Sequence, residues 1–263
     1  MGCMCGRFAV TTDPALLAEK IKAIDETTAA ASAAKDLSGP NYNVAPTTTV
    51  STVVSRHSDP DDEATRRIRP MRWGLVPSWA KATADGTPDT KGPLLINARS
   101  EKITTSPAFR SSAKARRCLV PMDGWYEWQP NADTADGKKA VKTPYFMHAA
   151  DGEPLFMAGL WSTWRSKDAS RDSPPLLSCT IITTDSAGAL TPIHDRMPLT
   201  ISEADWDRWL DPDAPVDEGL LRGHGDLDRI EIREVSRLVN SVRNNGPELI
   251  EAAEPQPEQG TLL

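Results

Sequence analysis

The sequence predicts a single α+β domain that is mostly β-sheet, with helices at its edges. The first observation is a series of short apolar runs, rich in β-branched residues and bounded by Gly, Pro or Asp, which is typical of strands. The second is that helical patterns are few and short. The third is that no linker or internal repeat divides the 263 residues, although this length would allow one large or two small domains.

Six apolar runs are the expected strands. The first of them reads TTVSTVVS and consists of β-branched and small residues. Because β-branched side chains fit the pleated surface of a sheet, this composition favours a strand. The six expected strands are residues 48–55, 94–98, 118–121, 145–148, 155–161 and 176–184.

Three segments carry helix signals. Asp13 can cap a helix that has Pro14 at its first position and apolar residues up to Ile24. Ser202 precedes the sequence EADWDRWL, with a carboxylate three residues later, as at the N-terminus of many helices. A last short helix is expected over residues 247–251.

Polar stretches separate the expected strands and have the Asp, Gly, Pro and Ser content of surface loops. None is bounded clearly enough to divide two domains. The stretches are residues 56–67, 81–92, 131–142 and 165–175. We therefore expect one domain over residues 4–252, followed by a disordered C-terminal tail over residues 253–263.

The composition excludes several classes of function. A net charge of −7 and a pI near 5.2 argue against a general polyanion-binding surface, so any contact with nucleic acid must come from a local basic cleft. The four cysteines form no C-x-x-C pair and the four histidines are scattered, so we expect neither a metal site nor a cofactor. No signal peptide and no apolar run of about 20 residues is seen, which predicts a cytoplasmic protein.

A cysteine near the start of the chain, Cys5, follows Met4 directly. If it becomes the N-terminal residue, it carries an α-amine and a thiol on adjacent carbons. That pair can condense with an aldehyde to a Schiff base and then close a thiazolidine ring through sulfur. The amine suits this chemistry, because an α-amino group has a pKa of about 7.7–8.0. Met1 and Met4 are both possible starts, so the chemistry requires either a start at Met4 or removal of residues 1–4.

Glu127 lies between aromatic residues in the sequence GWYEW. A carboxylate flanked by Trp and Tyr is expected to be partly desolvated, which raises its pKa and suits it to proton transfer near neutral pH. The alternative is a surface glutamate on a strand of alternating aromatic residues.

Asn97 and Arg99 end an apolar run and would point to the same face of an extended segment. Their amide and guanidinium could hold a sugar hydroxyl and a phosphate, or Arg99 could form a strand-end salt bridge with Glu101. His194 lies beside a carboxylate and an arginine, where it could move protons near pH 7 or be structural. Trp73 follows an arginine and could stack on a base, or pack in the core.

Together these segments resemble the SOS response-associated peptidase (SRAP) family, also called abasic-site processing proteins. The resemblance covers residues 4–252, and its motifs occur in the family's order. The motifs are CGRF at residues 5–8, NYNVAP at 41–46, WGLVP at 73–77, NARSE at 97–101, RCLVP at 117–121 with GWYEW at 124–128, IHDRMP at 193–198, VSR at 235–237 and NNGPELI at 244–250. The family resemblance implies a barrel-like core of mostly antiparallel sheet with peripheral helices.

The resemblance also implies roles for four catalytic residues. Cys5 matches the family's nucleophile, which bonds to the open-chain aldehyde of an abasic site in single-stranded DNA. Glu127 matches the glutamate that assists sugar ring opening and proton transfer. His194 matches the histidine that moves protons and tunes reversal of the crosslink, and Asn97 matches the residue that orients the nucleophile and the sugar.

Five further residues match DNA-binding positions of the family. Arg7 and Arg99 correspond to phosphate-binding arginines. Trp73, Pro46 and Asn43 fall in motifs where the family lines the DNA path. The resemblance thus implies a monomer that binds single-stranded DNA with abasic sites and is associated with the nucleoid when it is bound to DNA. It implies no bound metal and no membrane partner.

Two other functions remain open on the sequence alone. A thiol autopeptidase could use Cys5 with His194 and with Glu127 or Asn97, and would remove the residues that precede its own cysteine. A non-catalytic reader could bind single-stranded or modified DNA reversibly. Family members normally begin Met-Cys-Gly-Arg, whereas residues 1–3 precede that motif here.

Overall fold

The computed structural model describes residues 6–28, 37–130, 142–170 and 173–253. Within these ranges the chain forms short helices and a larger number of strands. The strands are β1 (Phe8–Val10), β2 (Ile24–Asp25), β3 (Asn41–Val44), β4 (Thr49–Arg56), β5 (Thr65–Trp73), β6 (Asn97–Arg99), β7 (Arg117–Met122), β8 (Gly124–Pro130), β9 (Lys142–Ala149), β10 (Leu155–Trp164), β11 (Leu176–Asp185), β12 (Arg196–Pro198) and β13 (Ile230–Glu234). The α-helices are α1 (Pro14–Ile21), α2 (Arg110–Ala115), α3 (Trp206–Leu210) and α4 (Glu218–Arg222).

The predicted α+β fold with a barrel-like core is confirmed. Five strands close a ring in the order β4, β5, β11, β10 and β7. Strand β11 pairs with β5 on one side and with β10 on the other, β10 pairs with β7, and the β7–β4 and β4–β5 pairings complete the ring. Most pairings are antiparallel, but β11 runs parallel to β5 and β6, and β2 runs parallel to β5. Closure leaves these five strands without a free edge along the paired lengths.

A second sheet, in the order β13-β9-β8-β1-β3, covers one side of the ring. Its central strands place the start of the described chain next to the GWYEW segment, since Phe8 lies opposite Trp125. Both side chains are fully buried and share one core with residues from inside the ring. The amino-terminal strand is therefore held between β8 and β3 by packing on an apolar core.

The outer face of the ring is covered by the helices. Side chains from β4, β5, β7, β10 and β11 that point outward form a second core with α1, α2, α3 and α4. Alternation along the strands explains this division, since successive side chains point to opposite faces. All six strands expected from apolar runs are present in whole or in part, although β6 begins only at Asn97 and leaves 94–96 outside the strand.

Several expected helices are shorter than the patterns suggested. Asp13 caps α1 as expected, accepting from the Ala15 N–H at 2.8 Å. The helix ends at Ile21, because Lys22 takes a left-handed conformation (φ 53°), and Ile24 enters β2 instead. Residues 203–205 and 247–249 form single 3₁₀ turns.

Strand β5 (TRRIRPMRW) was not expected from the sequence, because four arginines and a proline hide its apolar positions. Tertiary pairing on both sides stabilises it, with β4 along its full length and β11 at its end. Ala253, the first residue of the expected tail, is tied into the fold by a 2.9 Å bond from its N–H to the Glu234 carbonyl. Residues 254–263 lie outside the described ranges.

Arg117 ties helices α2 and α3 to the ring. Its guanidinium is buried and donates to five backbone carbonyls, and burial lowers the pKa of the group. The acceptors are Trp209 at 2.7 Å, Ala113 at 2.9 Å, Lys114 at 3.0 Å, Ala214 at 2.9 Å, and Asp211. Several of these carbonyls lie at helix C-termini, where intrahelical partners are absent and a cation is favoured.

We expect Arg117→Met to destabilise the fold by about 3–5 kcal/mol, because it leaves several buried carbonyls without donors. Urea unfolding monitored by tryptophan fluorescence measures the change. The matched control is Arg222→Met, which removes an exposed pair with Glu218 and should cost less than about 1 kcal/mol. An equal decrease in the free energy of unfolding in the two variants would contradict the role of Arg117 in holding α2 and α3 against the ring.

Within the described residues, no helix combines the length and apolarity that crossing a bilayer requires. In the same residues, no group of three or more His, Cys, Asp or Glu side chains is arranged to hold a metal ion. Cys118 and Cys179 are free and buried, and burial raises the pKa of both thiols.

Candidate functional site

Glu127 occupies the middle of β8 on its buried face. The side chain is only 3% exposed, so the expected desolvation is present and the surface-glutamate alternative is wrong. Glu127 shares its strand face with Trp125 and Gln129, since side chains two residues apart point the same way. A buried carboxylate at the margin of an apolar core is a feature typical of catalytic groups.

The turn into β8 explains the glycine of the GWYEW segment. An added Cβ at Gly124 would lie 2.2 Å from the Met147 carbonyl oxygen and 2.6 Å from the Phe146 ring. Only glycine allows β8 to approach β9 this closely, which fixes the register Glu127–Tyr145 between the two strands.

The described chain begins beside Glu127. The Arg7 carbonyl accepts from the Tyr126 N–H at 3.0 Å. Continuing the antiparallel register of β1 and β8 by one residue brings Gly6 opposite Glu127. Cys5 lies outside the described residues.

Asn97 is held at the end of the ring through its neighbour Ile96. The Ile96 carbonyl accepts from the Trp73 indole N–H and from the Ile181 N–H, both at 3.0 Å. Trp73 itself is fully buried and packs edge-to-face on Phe8, with ring centroids 4.9 Å apart. The interpretation of Trp73 as a stacking surface for DNA is therefore wrong, because no face of the indole is accessible; it positions Asn97 instead.

His194 lies in the loop between β11 and β12 and is partly exposed. Its Nδ1 is 3.1 Å from the Arg196 N–H and 2.9 Å from an Asp195 carboxylate oxygen. In the neutral ring with the proton on Nε2, Nδ1 accepts from Arg196. In the imidazolium, Nδ1–H can donate to Asp195, so both protonation states find a partner.

The Arg196 side chain fixes this loop. It is buried and forms ion pairs with Glu101 at 2.9 Å and with Asp185, and it donates to the Thr183 carbonyl at 2.7 Å. Glu101 is therefore the partner of Arg196 rather than of Arg99. Arg99 is exposed, and no carboxylate among the described residues pairs with it, so its guanidinium is available to a phosphate.

Three contacts bring these segments to one end of the barrel. Gln129, two residues after Glu127, donates to the Pro192 carbonyl at 2.9 Å, and Pro192 is two residues before His194. The Phe8–Trp73 contact and the Trp73–Ile96 bond connect the amino-terminal strand to Asn97. The segments that carry Glu127, Asn97 and His194, two strands and a loop, thus converge where the described chain begins.

Arg7 and Asn43 are bound to each other and to the C-terminal segment. The Asn43 amide oxygen accepts from Arg7 at 2.7 Å, and its NH₂ group bonds to the Ser241 and Asn244 carbonyls at 2.9 and 3.0 Å. Asn43 is only 4% exposed. The expectation that Asn43 contacts DNA is therefore contradicted, because its polar atoms serve internal bonds; it positions Arg7.

Arg7 is partly buried, and burial lowers its pKa. Its guanidinium also donates to the Val239 carbonyl at 3.0 Å and lies 5.9 Å from the centre of the Trp128 ring. These contacts fix the side chain at the amino-terminal end of β1, on the face of β8 that carries Tyr126 and Trp128.

Pro46 lies in a tight turn after β3. The Thr48 N–H donates to the Ala45 carbonyl at 3.2 Å, and the turn places Thr47 at φ 77°, a conformation rarely adopted by β-branched residues. Bonds between this turn and Trp73 hold it against β5. Strained turns of this kind cluster at functional sites.

Trp79, two residues after the WGLVP motif, is the tryptophan that the structure leaves exposed. Its side chain is 67% exposed and lines an apolar cavity of about 500 Å³ with Leu94, Arg72 and Lys81. The sequence signal that could have identified it is its position after Pro77, where the chain leaves the buried WGLVP segment.

A mixed sheet closed into a ring, with a second sheet on one side and helices on its outer face, defines the class of fold. Solved structures share it: a protein from Bacteroides thetaiotaomicron superposes with a TM-score of 0.73 at 22% identity, covering 95% of this chain and all of that one. A phage-related protein from Bordetella bronchiseptica superposes with a TM-score of 0.61 at 27% identity, covering 89% and 95%.

Sequence comparison identifies the family. Residues 4–242 match the sequence profile of the SOS response associated peptidase (SRAP) family, and the chain belongs to it. It is 36% identical over 217 residues to "Abasic site processing protein YoqW" of Bacillus subtilis, covering 81% of this chain and 86% of that protein. It is 32% identical over 243 residues to "Abasic site processing protein HMCES" of Rattus norvegicus, covering 82% and 65%. These names support a function in abasic-site processing.

Proposed function

We propose that this protein binds single-stranded DNA and forms a covalent thiazolidine with abasic sites through Cys5, which shields the lesion. The observation that carries the proposal is the position of β1, which brings Gly6 to the level of the buried Glu127. A buried carboxylate at this level of the sheet is a group that can transfer protons, which supports a reaction at the residue before Gly6. The printed names of the relatives agree with a substrate that contains an abasic site.

The chemistry needs Cys5 as the N-terminal residue. Glu127 assists opening of the closed sugar, which exposes the aldehyde at C1′. The neutral α-amine of Cys5 attacks C1′ to form an N–C bond, and loss of water gives an iminium. The thiolate then attacks the same carbon, and its C–S bond closes the five-membered ring. The balance is protein plus DNA, minus one water molecule.

His194 can supply and remove protons during these steps. Carbinolamine dehydration needs a proton on the departing hydroxyl, and thiol attack needs one removed from sulfur. The neutral ring can accept at Nδ1 from the Arg196 N–H, and the charged ring can donate from Nδ1 to the Asp195 carboxylate. Asn97 orients the sugar in this proposal, and the hydrogen bond from Trp73 to the neighbouring Ile96 carbonyl supports the role by fixing the backbone there.

The DNA contacts are expected at phosphates and stacked bases. Arg99 and Arg7 offer guanidinium groups for the phosphates, Pro46 shapes the path of the strand at its turn, and the exposed Trp79 offers a face for stacking. A lesion without a base needs no base-reading residue and no cost of base extrusion. Because phosphate contacts dominate, affinity should fall as the salt concentration rises.

Incubation of the protein with single-stranded DNA that contains one abasic site tests this function. We expect a heat-stable adduct of the two masses minus one water, detected by denaturing gel and intact-mass spectrometry, and absent with Cys5→Ala. Cleavage of a supplied peptide without an adduct would favour the thiol peptidase. Reversible binding that is unchanged in Cys5→Ala, again without an adduct, would favour a non-catalytic reader.

A further inference from the structure

A second cleft opens between the ends of β4, β7 and β10 and encloses about 330 Å³. Three of its lining residues can carry positive charge, namely Arg56, His57 and Arg116, and Ser55 and Thr163 add hydroxyl groups. No acidic side chain is among the described residues that line it. In a chain of net charge −7, such a local excess of positive charge needs an explanation.

This cleft lies far from the site around Glu127. Strand β11 connects the two regions: Leu177 lies opposite Thr163 at the cleft, and Asp185 lies opposite Arg196 beside His194. A ten-residue strand rises about 3.3 Å per residue, so the two ends are roughly 30 Å apart. The cleft is therefore separate from the proposed reaction site.

The positive charge around the cleft is only partly compensated. Glu26 pairs with Arg67 at 2.6 Å and with Arg69 at 2.9 Å, and none of these three residues lines the cleft. Partial desolvation of the guanidinium and then the nearby Arg69 lower the pKa of Arg56, with smaller contributions from Arg67 and Arg116 that Glu26 opposes. A bound anion would relieve the repulsion among these guanidinium groups.

His57, which also lines the cleft, lies between two oxygen acceptors. Its Nδ1 is 2.6 Å from the Asp62 carbonyl, and its Nε2 is 2.9 Å from Asp213. These bonds raise the pKa of the imidazole. Asp213 pairs with His57 from outside the lining, so it does not neutralise Arg56 or Arg116, and no carboxylate of the described residues pairs with either arginine.

The two arginines are held in fixed positions. The Arg56 guanidinium lies over the Trp161 ring, 5.2 Å from its centre, and the Trp161 backbone N–H donates to the Arg116 carbonyl at 2.9 Å. The Arg116 Nη2 donates to Ser111 at 2.9 Å, but its Nε is buried and bonds to no acceptor in the described residues. Buried donors in native proteins normally have a partner, so this nitrogen points to a missing acceptor.

We propose that this cleft binds a phosphate group, held by the guanidinium groups of Arg56 and Arg116 with hydroxyl donors from Ser55 and Thr163. Guanidinium groups match phosphate oxygens in geometry and remain charged at all physiological pH values. The volume admits a phosphate with an attached sugar or a second phosphate. The source is either a free phosphorylated compound or the backbone of a DNA strand, and the binding does not depend on the chemistry of Cys5.

Calorimetric titration of the full chain with inorganic pyrophosphate, and separately with oligothymidylate that lacks abasic sites, tests the proposal. We expect Arg56→Gln/Arg116→Gln to weaken at least one of these two interactions by about tenfold or more. If this variant loses affinity for pyrophosphate alone, the phosphate bound in the cleft belongs to a free compound. If it also loses affinity for oligothymidylate, the phosphate belongs to a DNA backbone. The control Arg222→Gln/Arg229→Gln removes the same charge from surface ion pairs elsewhere.

Unchanged binding of both probes in the cleft variant would overturn the proposal, and so would an equal loss in the control variant. Thermal unfolding of each variant checks that it is folded. If the double variant does not fold, the single variant Arg56→Gln replaces it, because Arg56 is exposed and its substitution should not disturb the fold. This single substitution is expected to weaken binding several-fold. An unchanged affinity in that variant likewise contradicts the proposal.

Discussion

Replacing Cys5 by serine is expected to abolish the heat-stable crosslink to abasic DNA. The α-amine remains, so a Schiff base still forms at C1′. The serine hydroxyl stays protonated near neutral pH, unlike a thiol with a pKa near 8.5, and it cannot close a stable ring through its oxygen. Heating followed by a denaturing gel measures the loss.

The same variant also separates the two halves of the reaction. Borohydride reduces a Schiff base to a stable amine, so the Cys5→Ser protein should be trapped on DNA only when the reductant is present. Strand cleavage should increase in this variant, since an unprotected iminium promotes elimination. A heat-stable adduct as abundant as that of the parent, without reductant, would contradict closure through sulfur.

The second large effect is expected for Glu127→Gln. Glutamine has nearly the same size and can still form hydrogen bonds, but it cannot take up or release a proton. Crosslink formation should slow by about 100-fold, the lower end of what general acid–base catalysis contributes. Single-turnover kinetics with excess protein measure the rate, and the affinity for unmodified single-stranded DNA should stay within about twofold because Glu127 is buried away from phosphates.

The control for this variant is Glu231→Gln, which makes the same change at an exposed carboxylate in the same sheet. It should leave the rate unchanged. An unaltered rate in Glu127→Gln would remove this residue from the proton-transfer role. A slower rate accompanied by an equal drop in DNA affinity would instead indicate a binding role.

Much of the fold follows from local sequence. The apolar runs that became β4, β7, β10 and β11 are bounded by residues that disfavour sheet, and they are buried on both faces, so their composition alone identifies them. Strand β5 could not be found this way, because its arginines are tolerated only where ring closure and Glu26 give them partners. Closure itself depends on the β11–β5 pairing, which joins segments about a hundred residues apart and leaves no local signal.

The candidate site was predicted in part. Glu127, Asn97 and His194 could be singled out as residue types with unusual neighbours, and the structure brings their segments to one end of the barrel. Trp73 and Trp79 show what sequence could not decide. Trp73 begins the WGLVP motif and Trp79 follows it closely. Only the burial of Trp73 on Phe8 and the exposure of Trp79 distinguish a positioning residue from one that can face a ligand.

The central claim is that Cys5 presents a free amine and a free thiol next to Glu127. Intact-mass measurement of the protein purified from its own cells tests this most directly, together with sequencing of its first residues. We predict a mass that corresponds to a chain beginning at Cys5 and the gain of one abasic DNA strand minus water after incubation. A mature protein that keeps residues 1–4 and gains no DNA would contradict it.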